Sequence, residues 1–183
     1  SQYISLLKNI NQNRGATSLE FRKKAALEAF GETAYYESLI YNYFRNLNSN
    51  EFPRKFTVGF NLIEKLRYGE NPHQQGAVYS ASKNLNLDKL NGKQLSYNNY
   101  SDIFAALQIS KTFPNKKGAV IVKHGNPCGV SVHENNIQSF LHAYKCDPLS
   151  AFGGILSCNF RINKKLALEL NKLFFEVIIA NEF

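Results

Sequence analysis

The sequence contains no methionine and no tryptophan, and it has only three cysteines among 183 residues. The cysteines lie far apart, at Cys128, Cys146 and Cys158, so neither a disulfide framework nor a zinc site fits them. A reducing, cytoplasmic setting is therefore expected. Because the chain starts at Ser1 without an initiating methionine, we expect it to be processed or cut from something longer.

Long hydrophobic runs are also missing. No apolar stretch approaches the roughly 18 residues of a membrane-spanning helix, and no signal peptide opens the sequence. We therefore expect no membrane partner. Hydrophobic residues make up 44% of the chain and charged residues 20%, which favours a folded domain over a disordered one. The length suits one domain, with or without an appendage.

Positive charge is in excess. Lysine and arginine outnumber aspartate and glutamate by 22 to 14, which gives a net charge of +8. This balance suggests an anionic partner, and either a nucleic acid or a phosphorylated or carboxylated metabolite would meet that requirement. The basic residues are scattered without interleaved aromatics, so nucleic-acid binding is the less favoured interpretation.

The first 50 or so residues show only helical patterns. Thr17 and Glu20 have the spacing of a capping box. Apolar residues then recur at helical intervals as far as Phe44, and Gly31 is expected to break or kink this stretch. The polar residues 46–51 predict a linker.

From residue 56 on, strands and helices are predicted to alternate, which is typical of an α/β fold with a parallel or mixed sheet. Residues 67–79 and 150–154 are predicted to be loops. The predicted strands lie at 56–62, 119–122, 155–158 and 177–180, and the predicted helices follow Ser101-Asp102, cover 137–144 and follow Asn163.

The most informative stretch is the apolar run 119–122, which ends in Lys123 and His124 and is followed by a Gly-Asn-Pro turn. Such a run is typical of a strand buried on both faces of a parallel sheet, and ligands bind beyond the carboxyl ends of those strands. His124 has the chemistry of a general base and Lys123 that of a stabiliser of negative charge. The alternative, slightly favoured by the pattern alone, is that the pair only marks where the strand meets solvent. Because consecutive strand residues point to opposite faces, both reach one site only if the chain bends at Gly125.

Weaker signals lie elsewhere. Arg67, Tyr68 and the glycine after them offer a guanidinium and a phenol to a phosphate, although a surface arginine in a loop is the commoner case. Residues 152–154 form a tight turn whose backbone groups could meet a ligand. The four histidines lack metal-ligand spacing, so no metal is expected. Cys128 is interpreted as structural rather than as a thiol nucleophile.

Five motifs in this order resemble those of one family. They are LRYGENPHQQ at 66–75, LSYNN at 95–99, IVKHGNPCG at 121–129, DPLSAFGG at 147–154 and FEVIIA at 175–180. Together they resemble the bifunctional purine-biosynthesis family, AICAR transformylase/IMP cyclohydrolase, in its bacterial form. Asn181 stands where the family usually has a proline.

The resemblance implies two parts. Residues 1–52 would be the helical tail of the cyclohydrolase domain plus a linker, and 53–183 would be the N-terminal part of the AICAR transformylase domain. It further implies a cytidine-deaminase-like mixed sheet with flanking helices and without zinc, and a homodimer with sites shared between subunits. The family's segments for the cyclohydrolase site and for folate have no counterpart here, so IMP cyclohydrolase activity is not expected.

The implied chemistry is formyl transfer from the cosubstrate 10-formyltetrahydrofolate to the 5-amino group of AICAR, giving FAICAR. By this resemblance His124 would accept the proton of the amine, and Lys123 would stabilise the transition state. With only part of the site, the chain is expected to be inactive alone. The alternative is a non-catalytic nucleotide-binding or assembly module derived from that enzyme.

The resemblance also assigns residues to the nucleotide. Arg67 and Tyr68 would hold the phosphate of the ribonucleotide. Gly153 would contact AICAR, and Glu176 would bind its ribose. The residues that would bind the folate stay unknown.

Overall fold

The computed structural model describes residues 2–48, 52–82 and 84–183. The linker predicted at 46–51 starts too early, because residues 46–48 belong to the helix Leu19–Asn48, and residues 49–51 lie outside the described residues. The border predicted between 52 and 53 stays a prediction. The chain divides into two compact units, Ser1–Ile63 with Tyr79–Leu87, and Glu64–Val78 with Asp88–Phe183. The described elements are α1 (Tyr3–Gln12), α2 (Leu19–Asn48), β1 (Asn61–Lys65), β2 (Ala77–Ser80), α3 (Tyr97–Ser110), β3 (Gly118–Lys123), β4 (Asn126–Val132), α4 (Asn136–Cys146), α5 (Pro148–Ala151), β5 (Ile155–Cys158), α6 (Lys164–Leu170) and β6 (Val177–Ala180).

The helical character predicted for the N-terminal segment is confirmed, with two corrections. The cap of α2 is Ser18 rather than Thr17, because the Ser18 hydroxyl accepts a hydrogen bond from the Phe21 N–H at 3.1 Å. Gly31 does not break the helix, since α2 runs unbroken through 30 residues. A single glycine lowers helix stability by only about 1 kcal/mol relative to alanine, and the surrounding good helix formers outweigh that cost.

Replacing Gly31 with alanine should therefore stabilise α2 by about 0.5–1 kcal/mol. Among the described residues, no heavy atom beyond the adjacent helical backbone lies within 4 Å of where the new Cβ would sit. Thermal unfolding followed by helical circular dichroism measures the gain. Gly15→Ala is the matched control, since φ is +87° at Gly15 and the same methyl group should destabilise there. A lower melting temperature for Gly31→Ala would contradict the prediction.

The strand predicted over 56–62 is largely wrong, because the structure forms a strand only from Asn61 to Lys65. Residues 56–60 instead pass close to α2, where a Cβ on Gly59 would lie 2.5 Å from the Ser38 hydroxyl. The loop predicted to end at residue 79 ends earlier, since Ala77–Ser80 forms β2 and pairs with β1. The limits between the two units fall within these two short strands.

The second sheet has the strand order β4-β3-β5-β6. β5 and β6 are parallel, whereas β3 is antiparallel to both of its neighbours. The predicted α/β fold with a mixed sheet is thus confirmed, but the parallel setting predicted for β3 is wrong. β3 is buried because it is central and helices cover both faces: Ile121 joins the cluster that includes Phe140 of α4, and Val120 points to the opposite face.

The turn predicted at Gly-Asn-Pro is also displaced. Lys123 pairs with Asn126, so His124 and Gly125 alone form the loop of a β3–β4 hairpin. Pro127 lies inside β4, which is an edge strand and therefore tolerates a residue without an N–H donor. The register shifts between Ile121 and Val122, which places a bulge in β4 opposite that step.

The remaining elements follow the sequence closely, except that α5 takes up the first two residues of the loop predicted at 150–154. α4 starts after its cap Asn135, and α6 starts after its predicted cap Asn163 but ends at Leu170. β5 and β6 have the predicted bounds. The start of α3 is a correction, because Ser96 caps it and Asp102 lies more than a turn inside the helix. None of the described helices is both long and apolar enough to cross a membrane.

Candidate functional site

Predicted site residues meet at one end of the four-stranded sheet. Ile155 pairs with Val122 on one side and with Val177 on the other. Lys123 directly follows the first of these partners, and Glu176 directly precedes the second. Lys123 and Glu176 therefore flank the two glycines that lead into β5. β3 runs antiparallel to β5 and β6, so the end of one strand meets the beginnings of the other two.

Lys123 is half-buried against the loop before β5. Its ammonium donates a hydrogen bond to the Phe152 carbonyl oxygen, and a Cβ on Gly153 would lie 3.9 Å from Nζ. Gly153 has φ +71°, and its N–H donates to the Phe174 carbonyl at 2.8 Å. Since an ammonium has three protons, Lys123 keeps donors for an anion beside this loop.

The loop is fixed at its entrance by Asp147. The Asp147 carboxylate accepts hydrogen bonds from the hydroxyl and the N–H of Ser150, at 2.6 and 3.0 Å. These bonds, the hydroxyl's foremost, lower the pKa of the Asp147 carboxyl. The aspartate therefore caps α5 in its ionised form and orders the approach to residues 152–154.

His124 is exposed in the two-residue turn of the hairpin. It has φ +54° and Gly125 has φ +75°, the combination that defines a type I′ turn. The Asp102 carboxylate accepts both N–H groups of the turn, from His124 at 3.2 Å and from Gly125 at 2.6 Å. The chain thus bends one residue before the predicted position, at His124 itself, and α3 supports the bend.

Glu176 is exposed, and α3 also holds its carboxylate. The Asn99 amide donates to Glu176 Oε2 at 2.5 Å. The amide oxygen of Asn99 accepts from the N–H and from the hydroxyl of Ser96, both at 3.0 Å. Asn99 therefore completes the capping box of α3 and also orients Glu176, the residue predicted to bind the ribose.

Arg67 and Tyr68 form a pair of their own. The Arg67 guanidinium donates to the Tyr68 hydroxyl at 3.1 Å and lies 4.8 Å from the centre of its ring. The Arg67 N–H donates to the Leu95 carbonyl at 3.0 Å, and the Tyr68 carbonyl accepts from the Tyr97 N–H at 3.2 Å. Within the described part of the chain, no hydrogen bond joins this pair directly to Lys123. The pair instead reaches the site through the segment that enters α3.

Tyr100 adds a second tie between this region and α3. Its hydroxyl donates to the Glu64 carboxylate at the end of β1. Burial, followed by the hydrogen bond to Glu64 and its charge, raises the pKa of Tyr100 above its usual range. The phenol therefore remains a donor at any physiological pH.

The cysteines have the properties of structural residues. Cys128 donates to the Ile121 carbonyl at 3.4 Å, and burial raises the pKa of its thiol. Burial raises the pKa of Cys158 to about 12. Both thiols are protonated at neutral pH, which argues against a nucleophilic role.

His133 lies at the opposite end of β3, where its N–H donates to the Lys117 carbonyl at 3.0 Å. His142 is exposed, and its ring meets that of His133 edge to face, with the ring centres 5.4 Å apart. No group of three or more histidine, cysteine, aspartate or glutamate side chains is arranged to hold a metal ion in the parts of the chain described.

Comparison with known proteins identifies the family. The family model described as AICARFT/IMPCHase bienzyme matches residues 1–183, which is the entire chain. The chain belongs to the AICARFT/IMPCHase bienzyme family. The resemblance inferred from the five sequence motifs is thereby confirmed.

Curated members of the AICARFT/IMPCHase family are similar to this chain. The bifunctional purine biosynthesis protein PurH of Caldicellulosiruptor saccharolyticus is 40% identical over 191 residues, covering 100% of this chain and 37% of that protein. The PurH proteins of Thermoanaerobacter sp. and Listeria monocytogenes are each 42% identical, covering 99% and 100% of this chain and 36% of each protein. The chain therefore spans a little over a third of the length of these relatives.

The structure assigns contacts to two residues of this AICARFT/IMPCHase chain that sequence reasoning did not select. Asn99 lay inside the LSYNN motif without a role, although the Ser96-x-x-Asn99 spacing was a signal for a cap. Asp102 was interpreted as part of a helix cap. Its contact with the hairpin turn had no signal in the sequence, because 22 residues separate it from His124.

Proposed function

We propose that this chain forms part of the site that transfers a formyl group from 10-formyltetrahydrofolate to the 5-amino group of AICAR, giving FAICAR in purine biosynthesis. The observation that supports it most is the meeting of Lys123, His124 and Glu176 at one end of the sheet, in a chain of the AICARFT/IMPCHase family. The proposed activity is the AICARFT half of the name of that family.

The reaction has a need that His124 and Lys123 can meet. The amine of AICAR is conjugated to a carboxamide and is a poor nucleophile, so it requires a base. As its nitrogen bonds to the formyl carbon, the proton passes to His124, and the Lys123 ammonium stabilises the negative charge on the formyl oxygen. The bond from that carbon to folate N10 then breaks, and the folate nitrogen takes up a proton to give tetrahydrofolate.

The nucleotide would be held by the other predicted residues. We assign its phosphate to Arg67 and Tyr68, since a guanidinium forms paired hydrogen bonds with phosphate oxygens. Gly153 would contact AICAR, and the Glu176 carboxylate would accept hydrogen bonds from the ribose hydroxyls. The net charge of +8 favours the approach of a phosphate and of an anionic folate.

The larger organisation is part of the same proposal. We assign residues 1–52 to the tail of the cyclohydrolase domain and its linker, and 53–183 to the N-terminal part of a cytidine-deaminase-like transformylase domain. Regions of the full-length protein that this chain lacks would supply the folate-binding residues. The full-length protein is expected to be a homodimer with sites shared between subunits. The chain by itself is then expected to bind AICAR weakly and to catalyse no formyl transfer.

Arg67→Ala should weaken AICAR binding by about 10- to 100-fold, because a charge-assisted contact with phosphate contributes about 1.5–3 kcal/mol. Titration calorimetry or NMR titration of the chain with AICAR measures this loss. Arg161→Ala is the matched control, since Arg161 is also exposed but lies before α6. Equal affinities of the wild type and Arg67→Ala would remove Arg67 from the phosphate site. Steady release of tetrahydrofolate by the chain alone would contradict the expected lack of turnover.

A chimera distinguishes an enzyme segment from a non-catalytic module. In it, this chain replaces the matching segment of the Thermoanaerobacter PurH protein, which is 42% identical. Formyl transfer by the chimera supports the catalytic proposal. A folded chimera that binds AICAR without transfer would favour the module.

A further inference from the structure

One face of α3 holds two parts of the site in place. Asn99 and Asp102 are three residues apart, so their side chains project from the same side of the helix. Asn99 donates to the Glu176 carboxylate at 2.5 Å. Asp102 accepts from the backbone of His124 at 3.2 Å and of Gly125 at 2.6 Å. A single helical turn therefore contacts both the end of β3 and the start of β6.

The contact made by Asp102 closes the hairpin turn from outside the hairpin. Each carboxylate oxygen accepts one N–H, Oδ2 from His124 and Oδ1 from Gly125. Hydrogen bonds to an ionised acceptor are stronger than those between neutral groups. His124 needs this support, because a residue with a side chain occupies φ +54° at some cost in energy.

The helix that carries these side chains is itself firmly placed. Ile103 and Ala106 of α3 are 3% and 0% exposed, and the Ser96–Asn99 capping box fixes its first turn. A side chain on such an element holds its position better than one on a free loop. α3 can thus hold two exposed groups, His124 and Glu176, in fixed positions.

We propose that α3 is the positioning element of the site, in which Asp102 sets the direction of the His124 side chain and Asn99 sets that of the Glu176 carboxylate. Both are positioning residues rather than catalytic ones, since each acts through another residue. The importance of His124 and Glu176 for AICAR rests on the proposed function. The two contacts themselves do not, and they are open to measurement without any substrate.

Asp102 is tested by NMR on the intact chain. In Asp102→Ala the Gly125 amide should exchange with solvent about 10- to 100-fold faster, and the His124 χ1 couplings should show averaging between rotamers. Asp102→Asn keeps one acceptor oxygen and should give a smaller change in the same direction. Asp88→Asn, in the exposed loop before α3, is the control and should alter neither signal. The amides of Val120 and Leu156 report on the core and should keep their exchange rates.

Asn99→Asp gives the complementary result. It keeps the oxygen that accepts from Ser96 but removes the donor to Glu176, so the Glu176 carboxyl resonance should shift while the His124 couplings stay unchanged. AICAR affinity should fall at least about tenfold in Asn99→Asp and remain near wild type in Asp102→Asn.

Three results would overturn this proposal. The first is an unchanged exchange rate of the Gly125 amide in Asp102→Ala, and the second is faster exchange of the core amides in Asp102→Asn. The third is a change in both the His124 couplings and the Glu176 carboxyl resonance in Asp102→Ala or in Asn99→Asp. If the wild-type chain binds no AICAR, the nucleotide site of the proposed function fails. The exchange rates and couplings then still decide whether α3 positions these groups.

Discussion

Replacing His124 with alanine in the active chimera should lower kcat for formyl transfer by about 10²–10⁴, the usual contribution of a general base. KM for AICAR should stay close to its original value, because the imidazole acts on the proton of the reacting amine and other residues hold the nucleotide. Steady-state kinetics with tetrahydrofolate release as the signal measures both constants. The exposed position of His124 makes a folding defect a poor explanation for such a loss.

The control for this substitution is His142→Ala, which removes an exposed imidazole from α4 and should leave kcat unchanged. Added imidazole should restore part of the rate to His124→Ala, since a small base can enter the space left by the side chain. An unchanged kcat would exclude His124 as the proton acceptor. A raised KM with the same kcat would make it a binding residue instead.

Replacing Gly129 with alanine should destabilise the unit that contains the four-stranded sheet by about 3 kcal/mol or more, at or above the upper end of the usual cost of overpacking. A Cβ on Gly129 would lie 1.9 Å from the Ala143 carbonyl oxygen and 2.8 Å from the carbon of that group. Both atoms belong to the backbone of α4, so no side chain can rotate away. β4 and α4 would have to separate.

The midpoint of urea unfolding, followed by tyrosine fluorescence or by amide exchange in β3, measures this loss. With a typical domain stability of about 5–15 kcal/mol, the variant should unfold at a clearly lower denaturant concentration. Gly31→Ala is the contrasting case, where the same added methyl group meets open space and should stabilise. A midpoint for Gly129→Ala equal to that of the wild type would show that the contact between β4 and α4 gives way easily.

The α/β class and three of the six described strands, β3, β5 and β6, were predictable because their signals are local. Residues 155–158 and 177–180 are short apolar runs bounded by turn residues, and the structure confirms both as strands. The direction of the strands was not predictable in this way. An apolar run indicates that a strand is buried on both faces, but it does not indicate the direction of the neighbouring strands. β3 is buried at the centre of the sheet although it is antiparallel to both of its neighbours.

The start of α3 was also not predictable from residue type alone. Ser101-Asp102 and Ser96 are both acceptable N-caps by residue type. The position of the cap depends on which residues the helix must bury. Ser96 is the cap of α3, because Asn99 completes the capping box and is itself buried. Asp102 then becomes free to accept the N–H groups of a turn 22 residues further on. The chemistry proposed for His124 and Lys123 was suggested by the sequence, whereas the contact of Asp102 with the turn at His124 was not.

The turn at His124 and Gly125 places two demands on one position. For a hairpin loop with positive φ at both residues, Asn-Gly is the favoured pair. This chain has the glycine, but an imidazole stands where asparagine would suit the backbone better. Selection for stability alone would replace His124, and selection for proton transfer would retain it. Under the role proposed for His124, this turn trades some backbone stability for proton transfer, and a redesign that idealised the loop with asparagine would remove the imidazole.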